Sequence, residues 1–356
     1  MNEPTSRPRA VSRARLRHTR PTDPGYLRKR HGRGFRYLDV DGAPLRDAEA
    51  LERIGGLVIP PAWRDVWICA HPHGHLQAVG TDAAGRRQYR YHEQFRAQRE
   101  TAKHANVLEV AEALPRIRAG AADHLAQRGL TQERVLGMAA RLLDMGFFRV
   151  GSERYTDQHN TYGLTTLLRE HVRCGDGRAT FTYPGKHGKR QVQAVMAPEV
   201  CRAVSALRRR RSGGDRLLAY WAGGAWHDVT GEDLNAYLKD LAGVDVTAKD
   251  FRTWHGTVLA SVGLAVSHNA ARTDAARKRA VARAVREVAD YLGNTPAVCR
   301  ASYINPRVIE LYGRGVTVEP ALQRLGAGAA AGSPATQGAV EDAVLRMLRT
   351  GRAPRA

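Results

Sequence analysis

The sequence predicts an α+β protein, with a small β-sheet domain at the N-terminus and a larger, mainly α-helical domain that carries a β-hairpin. Between residues 35 and 91, short segments of β-forming residues are bounded by turn residues, as in β-strands. From about residue 102 to 315, apolar residues recur at the spacing of α-helices. The 356 residues exceed one ordinary domain. We therefore expect a basic flexible arm over 1–24, domains over 25–101 and 102–318, and a linker with a last helix over 319–356.

The N-terminal sheet is predicted from three short segments. Phe35–Val40 leads into an Asp41-Gly42 pair, which is typical of a tight turn. Val66–Ala70 and Leu76–Thr81 flank a histidine-rich turn and are rich in β-forming residues. Leu51–Ile54 is predicted as a short helix.

The stretch that follows these strands mixes basic and aromatic residues. If it is a strand, Tyr89 and Tyr91 lie on one face, while Gln88 and Arg90 lie on the other. Basic, aromatic and amide side chains together suit contacts with phosphates and base edges in a nucleic-acid groove. A sheet edge with two packed tyrosines explains the pattern equally well.

The cysteines predict neither a disulfide framework nor a metal centre. All four are scattered and none forms a CxxC pair. Cys69, His71, His73 and His75 have metal-ligating side chains, but they straddle a Pro-Gly turn and have no second cluster of ligands nearby. We therefore expect no bound metal and no cofactor.

The second domain is predicted to consist of helices and one hairpin. The hairpin covers Phe181–Val192 and has a lysine at its tip. The basic run Arg208–Arg211 at the end of one helix is interpreted as a solvated face. The predicted helices are Val107–Gln127 with a kink or break at Pro115, Thr131–Met145 with Thr131 as N-cap, Pro198–Arg211, Glu232–Leu241 capped by Thr230, Lys249–Ala265 and Asn269–Leu292.

The charge of the chain indicates its partner. Lys and Arg number 56 against 35 Asp and Glu, which gives a net charge of +21. Because this exceeds what solubility requires, we expect a polyanion, most commonly nucleic acid. No apolar run is long enough to span a membrane, and the N-terminus lacks a signal-peptide core. The chain is thus predicted to be soluble and cytoplasmic, nucleoid-associated if bacterial. Motifs of P-loop ATPases, zincins and dinucleotide enzymes are missing from the sequence.

A set of polar residues stands at the predicted element edges. Tyr303 precedes an Asn-Pro pair, where a helix should end. Asn294 lies nine residues earlier, after a Leu-Gly pair typical of a helix C-terminus. Taken singly, each has an ordinary structural explanation. The complete set, in chain order, is Arg149, the hairpin Lys186, Lys249, Arg252, Asn294 and Tyr303.

As a set these residues resemble the catalytic residues of type IB DNA topoisomerases, in particular the short poxvirus-like branch that also occurs in bacteria. The resemblance covers roughly residues 25 to 315 and depends on the order arginine, hairpin lysine, Lys-x-x-Arg, hydrogen-bond donor and tyrosine. Asn294 stands where the poxvirus enzymes carry histidine. Gln88, Tyr89 and Tyr91 resemble that family's DNA-contacting strand, and Arg154 and Tyr155, after the first arginine, are further expected DNA contacts.

The resemblance implies an enzyme that relaxes supercoiled double-stranded DNA without ATP or metal. Tyr303 would attack a phosphodiester and form a 3′-phosphotyrosyl intermediate. Arg149 and Arg252 would stabilise the charge that develops on the phosphate. Asn294 would donate a hydrogen bond to a nonbridging oxygen. Lys186 would protonate the leaving 5′-oxygen, with Lys249 assisting. Residues 25–101 would bind DNA, residues 102–318 would form the catalytic domain, and a monomer would clamp the duplex.

Two alternatives remain at this point. A tyrosine recombinase resembles the same catalytic fold, but usually has His-x-x-Arg where this chain has Lys249-x-x-Arg252, and a helical N-terminal region. A DNA-binding protein that has lost its chemistry would share the basic charge. The full set of candidate residues argues against that second alternative.

Overall fold

The computed structural model describes residues 15–146, 148–151, 153, 156, 160–185, 188–325 and 338–354. The chain forms two compact units, Met1–Lys103 and His104–Ala356. We call them the N-terminal and the C-terminal unit. The division between them falls inside one helix.

The N-terminal unit is built on a five-stranded antiparallel sheet. Its strands are β1 (Gly25–His31), β2 (Gly34–Leu38), β3 (Arg64–Cys69), β4 (Leu76–Thr81) and β5 (Arg87–Tyr91), in the spatial order β2-β1-β3-β4-β5. Helix α1 (Ala48–Gly56) is capped by Asp47, whose carboxylate accepts from two backbone N–H groups. Ile54 packs against Val66, Ile68 and Ala78 of the sheet. The predicted strands are confirmed, and β1 is an additional strand.

Part of the predicted N-terminal arm belongs to the folded unit. Arg17 forms a β-bridge with Gly74, and the Thr19 backbone N–H donates to the His75 Nδ1 atom at 3.1 Å. The Thr19 side chain is buried. The prediction of a flexible arm is therefore wrong for residues 15–24, because local composition cannot reveal that a polar segment finds backbone partners in the sheet.

The long helix at the start of the C-terminal unit differs from the prediction. Helix α2 runs continuously over Glu93–Ala126 and includes Pro115 without a break. It begins 14 residues before the predicted start at Val107. Its buried positions, from His104 to Leu125, pack into the C-terminal core. Helix α3 (Gln132–Gly146) follows, and Thr131 caps it as predicted, with Oγ1 accepting from the Arg134 N–H at 3.3 Å.

Two small sheets lie within the C-terminal unit. The predicted hairpin is present as β7 (Arg178–Pro184) and β8 (Arg190–Met196), and β6 (Val172–Gly175) extends it to a three-stranded sheet. Strands β9 (Ala219–Ala222) and β10 (Ala225–Asp228) form a second hairpin that was not predicted.

Helices make up most of the remaining chain, and all the predicted ones are present with shifted ends. One shift is notable: α7 starts at Asp274 rather than Asn269, because the Thr273 hydroxyl caps it. The helices are α4 (Pro198–Arg209), α5 (Gly231–Ala242), α6 (Ala248–Ser267), α7 (Asp274–Leu292), α8 (Pro296–Ser302), α9 (Pro306–Gly313), α10 (Glu319–Leu325) and α11 (Ala339–Thr350).

The basic run at the end of α4 is not uniformly solvated. Arg210 is buried, and its guanidinium donates to the carbonyl oxygens of Leu207 and Leu217 at 3.0 and 3.1 Å. It also lies over the Trp226 ring, 5.3 Å from its centroid. The solvated-face interpretation is therefore wrong for this arginine. Its hydrogen bonds stabilise the turn that follows α4.

The C-terminal segment is more structured than a linker. Within the predicted linker of 319–338, Glu319–Leu325 is helix α10. The last helix, α11, contributes Val340, Val344 and Leu348 to the same core as α2, α3 and α6. The predicted α+β fold class is confirmed, and among the described residues no helix is long and apolar enough to cross a membrane.

Candidate active site

The candidate nucleophile lies at a junction of short helices. Helix α7 ends at Leu292, and Gly293 follows in the left-handed conformation at φ 61°, as the Leu-Gly pair predicts. Thr295 caps α8 through a hydrogen bond from the Val298 N–H. Tyr303 is the C-cap of α8, and Asn305 caps α9. The caps and the prolines fix both ends of this segment, so the position of Tyr303 depends little on its own side chain.

Helix α6 brings Arg252 to this junction. Arg252 is 4% exposed. Its Nη2 donates, at 2.7 Å, to the carbonyl oxygen of Leu292 at the end of α7. Its guanidinium carbon is 5.3 Å from the centroid of the Tyr303 ring. The predicted proximity of Arg252 and Tyr303 is thus present in the structure.

Arg149 reaches the same junction from the segment after α3. Its Nη2 donates to the Gly293 carbonyl at 2.8 Å and to Asn294 Oδ1 at 2.7 Å. Because a guanidinium can only donate, the amide oxygen of Asn294 must face it, and the amide nitrogen points away. That Nδ2 atom is buried and has no hydrogen-bond partner in the described part of the chain. Arg149 therefore orients this amide so that its N–H groups face away from the guanidinium.

The backbone of Tyr303 lies directly against α6. A Cβ atom on Gly256 would come within 2.7 Å of the Tyr303 carbonyl oxygen, so only glycine allows this approach. One residue further, Thr257 Oγ1 accepts from the Asn305 N–H at 3.0 Å. Sequence reasoning missed both residues. Their only signal was their position, four and five residues after Arg252.

The two arginines shape the electrostatics of the site. Burial and the nearby charge of Arg149 lower the pKa of Arg252 to about 10, against the opposing effect of Tyr303 and Tyr183. Burial raises the pKa of Tyr183, although both arginines act in the opposite direction. The guanidinium groups are thus held close together at a cost in desolvation and repulsion, which a bound anion would offset.

Of the remaining predicted catalytic residues, the structure describes Lys249 and does not bring it into this cluster. Lys249 is exposed in the first turn of α6, and no described contact joins its side chain to Arg149, Asn294 or Tyr303. Lys186 lies outside the described residues, as do Arg154 and Tyr155.

The predicted DNA-contacting strand is β5 of the N-terminal unit. Tyr89 and Tyr91 stack with their ring centroids 6.1 Å apart, and they are 46% and 36% exposed. On the other face, Gln88 Nε2 donates to Asp82 Oδ2 at 2.9 Å. Backbone and side-chain hydrogen bonds from Arg86 lower the pKa of Asp82 to about 2. The predicted alternation is therefore present, with both tyrosines accessible.

Metal ligands are not assembled in the described residues, where no group of three or more His, Cys, Asp and Glu side chains could hold an ion. His75 of the histidine-rich turn packs against His18, with ring centroids 4.1 Å apart and the rings tilted by 32°.

Comparisons with known proteins identify the family of this chain. A model of the eukaryotic DNA topoisomerase I catalytic core matches residues 92–313, and a model of the bacterial DNA topoisomerase IB N-terminal domain matches residues 34–82. DNA topoisomerase 1B of Acanthamoeba polyphaga mimivirus is 30% identical over 296 residues, which cover 81% of this chain and 87% of that protein. DNA topoisomerase 1 of Daucus carota is 30% identical over 130 residues, 36% of this chain and 15% of that protein. The chain therefore belongs to the type IB DNA topoisomerases and is an enzyme of that family.

Proposed function

We propose that this topoisomerase relaxes supercoiled double-stranded DNA without ATP, by breaking and rejoining one strand through a 3′-phosphotyrosyl link to Tyr303. One observation carries the proposal: Arg252 and the Arg149–Asn294 pair converge on the segment that ends in Tyr303. Two guanidinium groups and an oriented amide beside a phenol form an anion site next to a nucleophile.

The cleavage step uses these groups as follows. The Tyr303 Oη atom attacks the phosphorus, the bond from phosphorus to O5′ breaks, and the phenol proton passes to solvent. Negative charge grows on the nonbridging oxygens, where Arg149 and Arg252 each offer several N–H donors. The Asn294 Nδ2 atom, which Arg149 turns away from itself, donates to one of the same oxygens.

The leaving O5′ atom requires a proton. We assign Lys186 as the general acid because, in the sequence, it falls between the segments that form β7 and β8, as the hairpin lysine of the family resemblance does. Lys249, in the first turn of α6, assists this proton transfer. Cationic side chains fill the role that metal ions fill in many other phosphoryl transfers.

Rejoining reverses the same step. The 5′-hydroxyl attacks the phosphotyrosine and releases Tyr303, so the bond energy is conserved and no ATP is consumed. Between the two steps the free strand end rotates and supercoils are lost. The exposed Tyr89 and Tyr91, with Gln88, contact the duplex from the N-terminal unit, and the enzyme acts as a monomer.

The central test is Tyr303→Phe, which removes the nucleophilic oxygen and leaves the ring. We expect the variant to bind plasmid DNA with wild-type affinity and to relax none of it in EDTA without ATP. A nicked oligonucleotide should become covalently attached to the wild type but not to the variant. Relaxation by the variant would refute the role of Tyr303.

A further inference from the structure

The last helix carries a carboxylate in an unusual place. Helix α11 lies outside the stretch 92–313 that the core family model matches. Glu341, in its first turn, is 5% exposed, although glutamate is rarely buried without partners.

All the partners of this carboxylate are fixed groups. Oε1 accepts from Trp254 Nε1 at 2.9 Å and from Arg118 Nη2 at 3.0 Å. Oε2 accepts from Arg118 Nη1 at 2.6 Å and from the Gly338 N–H at 3.1 Å. Glu341 therefore joins α11 to both α2 and α6.

A second chain of contacts leads from the same arginine to α6. Arg118 also binds Asp144 of α3, through Nε at 2.9 Å and Nη2 at 2.8 Å. Asp144 Oδ1 lies 3.7 Å from His255 Nε2. Burial lowers the pKa of His255, which disfavours a charged ring, and at 3.7 Å the two side chains are in polar contact without a hydrogen bond between these atoms.

The two series of contacts, one from Glu341 and one from Arg118 through Asp144, end on neighbouring residues of one turn of α6. Trp254 and His255 follow Arg252 by two and three residues. At a rise of about 1.5 Å per residue, they lie within about 5 Å of Arg252 along the helix axis. The turn of α6 that carries Arg252 is thus contacted at two successive positions, Trp254 and His255.

We propose that Glu341 is a positioning residue for DNA cleavage: through Trp254 and Arg118 it fixes the turn of α6 that carries Arg252. The inference rests on the proposed function, because it assumes that Arg252 acts on the phosphate. A buried ion pair adds little stability over apolar packing of the same volume, but its hydrogen bonds fix direction. That direction is what placing a guanidinium requires.

The decisive variant is Glu341→Gln. The four donors around the carboxylate need two acceptor oxygens, and an amide has one. In single-turnover cleavage of a nicked oligonucleotide, well below the melting temperature, we expect covalent attachment to slow by about 10- to 100-fold. The affinity for DNA should stay at the wild-type value. A wild-type cleavage rate would overturn the proposal.

Matched controls separate positioning from loss of stability. Arg349→Ala removes the exposed ion pair of the same helix with Glu112, and it should leave the rate unchanged. Leu348→Ala weakens the packing of α11 without touching the carboxylate, and it should lower the melting temperature but not the rate. Equal slowing by Leu348→Ala and Glu341→Gln would overturn the proposal in favour of general stability.

If Glu341→Gln does not fold, a second variant tests the same proposal. Trp254→Phe removes the indole donor to Oε1 together with part of the buried ring, leaves the donors of Arg118, and should also slow attachment at unchanged DNA affinity; a wild-type rate would refute the proposal. Failure of the proposed function would look different. In that case the wild type itself would form no adduct with DNA.

Discussion

Two arginines in the C-terminal unit, the half-buried Arg118 and the buried Arg252, have opposite surroundings. Arg118 binds two carboxylates, those of Asp144 and Glu341. Burial alone would lower its pKa, but these hydrogen bonds and charges outweigh burial and raise it well above the usual value. Arg252 contacts a backbone carbonyl and a tyrosine ring, and burial and Arg149 lower its pKa to about 10.

We propose that this difference separates a structural arginine, Arg118, from a functional one, Arg252. The charge of Arg118 is neutralised inside the fold, so it holds elements together. The charge of Arg252 is kept beside that of a second arginine, which is unfavourable until an anion binds. The four predictions below test this contrast, from the largest expected effect to the smallest.

Arg118→Met should cause the largest loss of stability. It leaves the buried carboxylates of Asp144 and Glu341 without their main partner, which costs about 3–5 kcal/mol in the free energy of unfolding. The cost is that of buried negative charge that has lost its main partner, so it should shrink as acid protonates the two carboxylates. Urea unfolding at several pH values measures both effects. A loss of stability that does not depend on pH would show that lost packing, and not unpaired charge, causes it.

Arg252→Lys should leave stability nearly unchanged and reduce catalysis. Lysine keeps the positive charge but lacks the planar fork that contacts two oxygens. We expect the cleavage rate to fall by about 10²–10³-fold, or about 2.7–4 kcal/mol in the activation barrier. Single-turnover cleavage measures the rate, and thermal unfolding supplies the control. A rate close to that of the wild type would mean that Arg252 is structural like Arg118.

Asn294→Asp should make the active site resemble the surroundings of Arg118. The new carboxylate would pair with Arg149 and repel the phosphate, and the donor to the nonbridging oxygen would be lost. We expect about 10²-fold slower cleavage. Asn294→Ala, which removes the donor without adding charge, is the matched control. It should be less impaired than Asn294→Asp, and the reverse order would contradict the account.

Arg141→Ala should have the smallest effect. Arg141 contacts Asp144 Oδ2 at 3.4 Å from a partly exposed position. Such pairs contribute about 0–1 kcal/mol, so unfolding and cleavage should both stay close to wild type. A loss comparable to that of Arg118→Met would show that Asp144 depends on both arginines.

The difference between predicted and observed elements has identifiable causes. Pro115 suggested a break, yet α2 continues through it because its apolar side chains pack into the core on both sides. Arg210 looked solvated because local charge patterning does not show where carbonyl groups converge. The alternating strand β5 and the end of α7 at the Leu292-Gly293 pair were predictable, since alternation and a glycine cap depend on neighbouring residues.

The sequence by itself determined the α+β class, the order of the candidate site residues and the position of Tyr303 between a capped helix and an Asn-Pro pair. These features follow from local backbone chemistry. Only the tertiary structure decided that Arg149 orients Asn294, 145 positions away, and that Glu341 supports the turn carrying Arg252. Such contacts join residues far apart in the chain, and they exist only once the helices pack and exclude water from the charges between them.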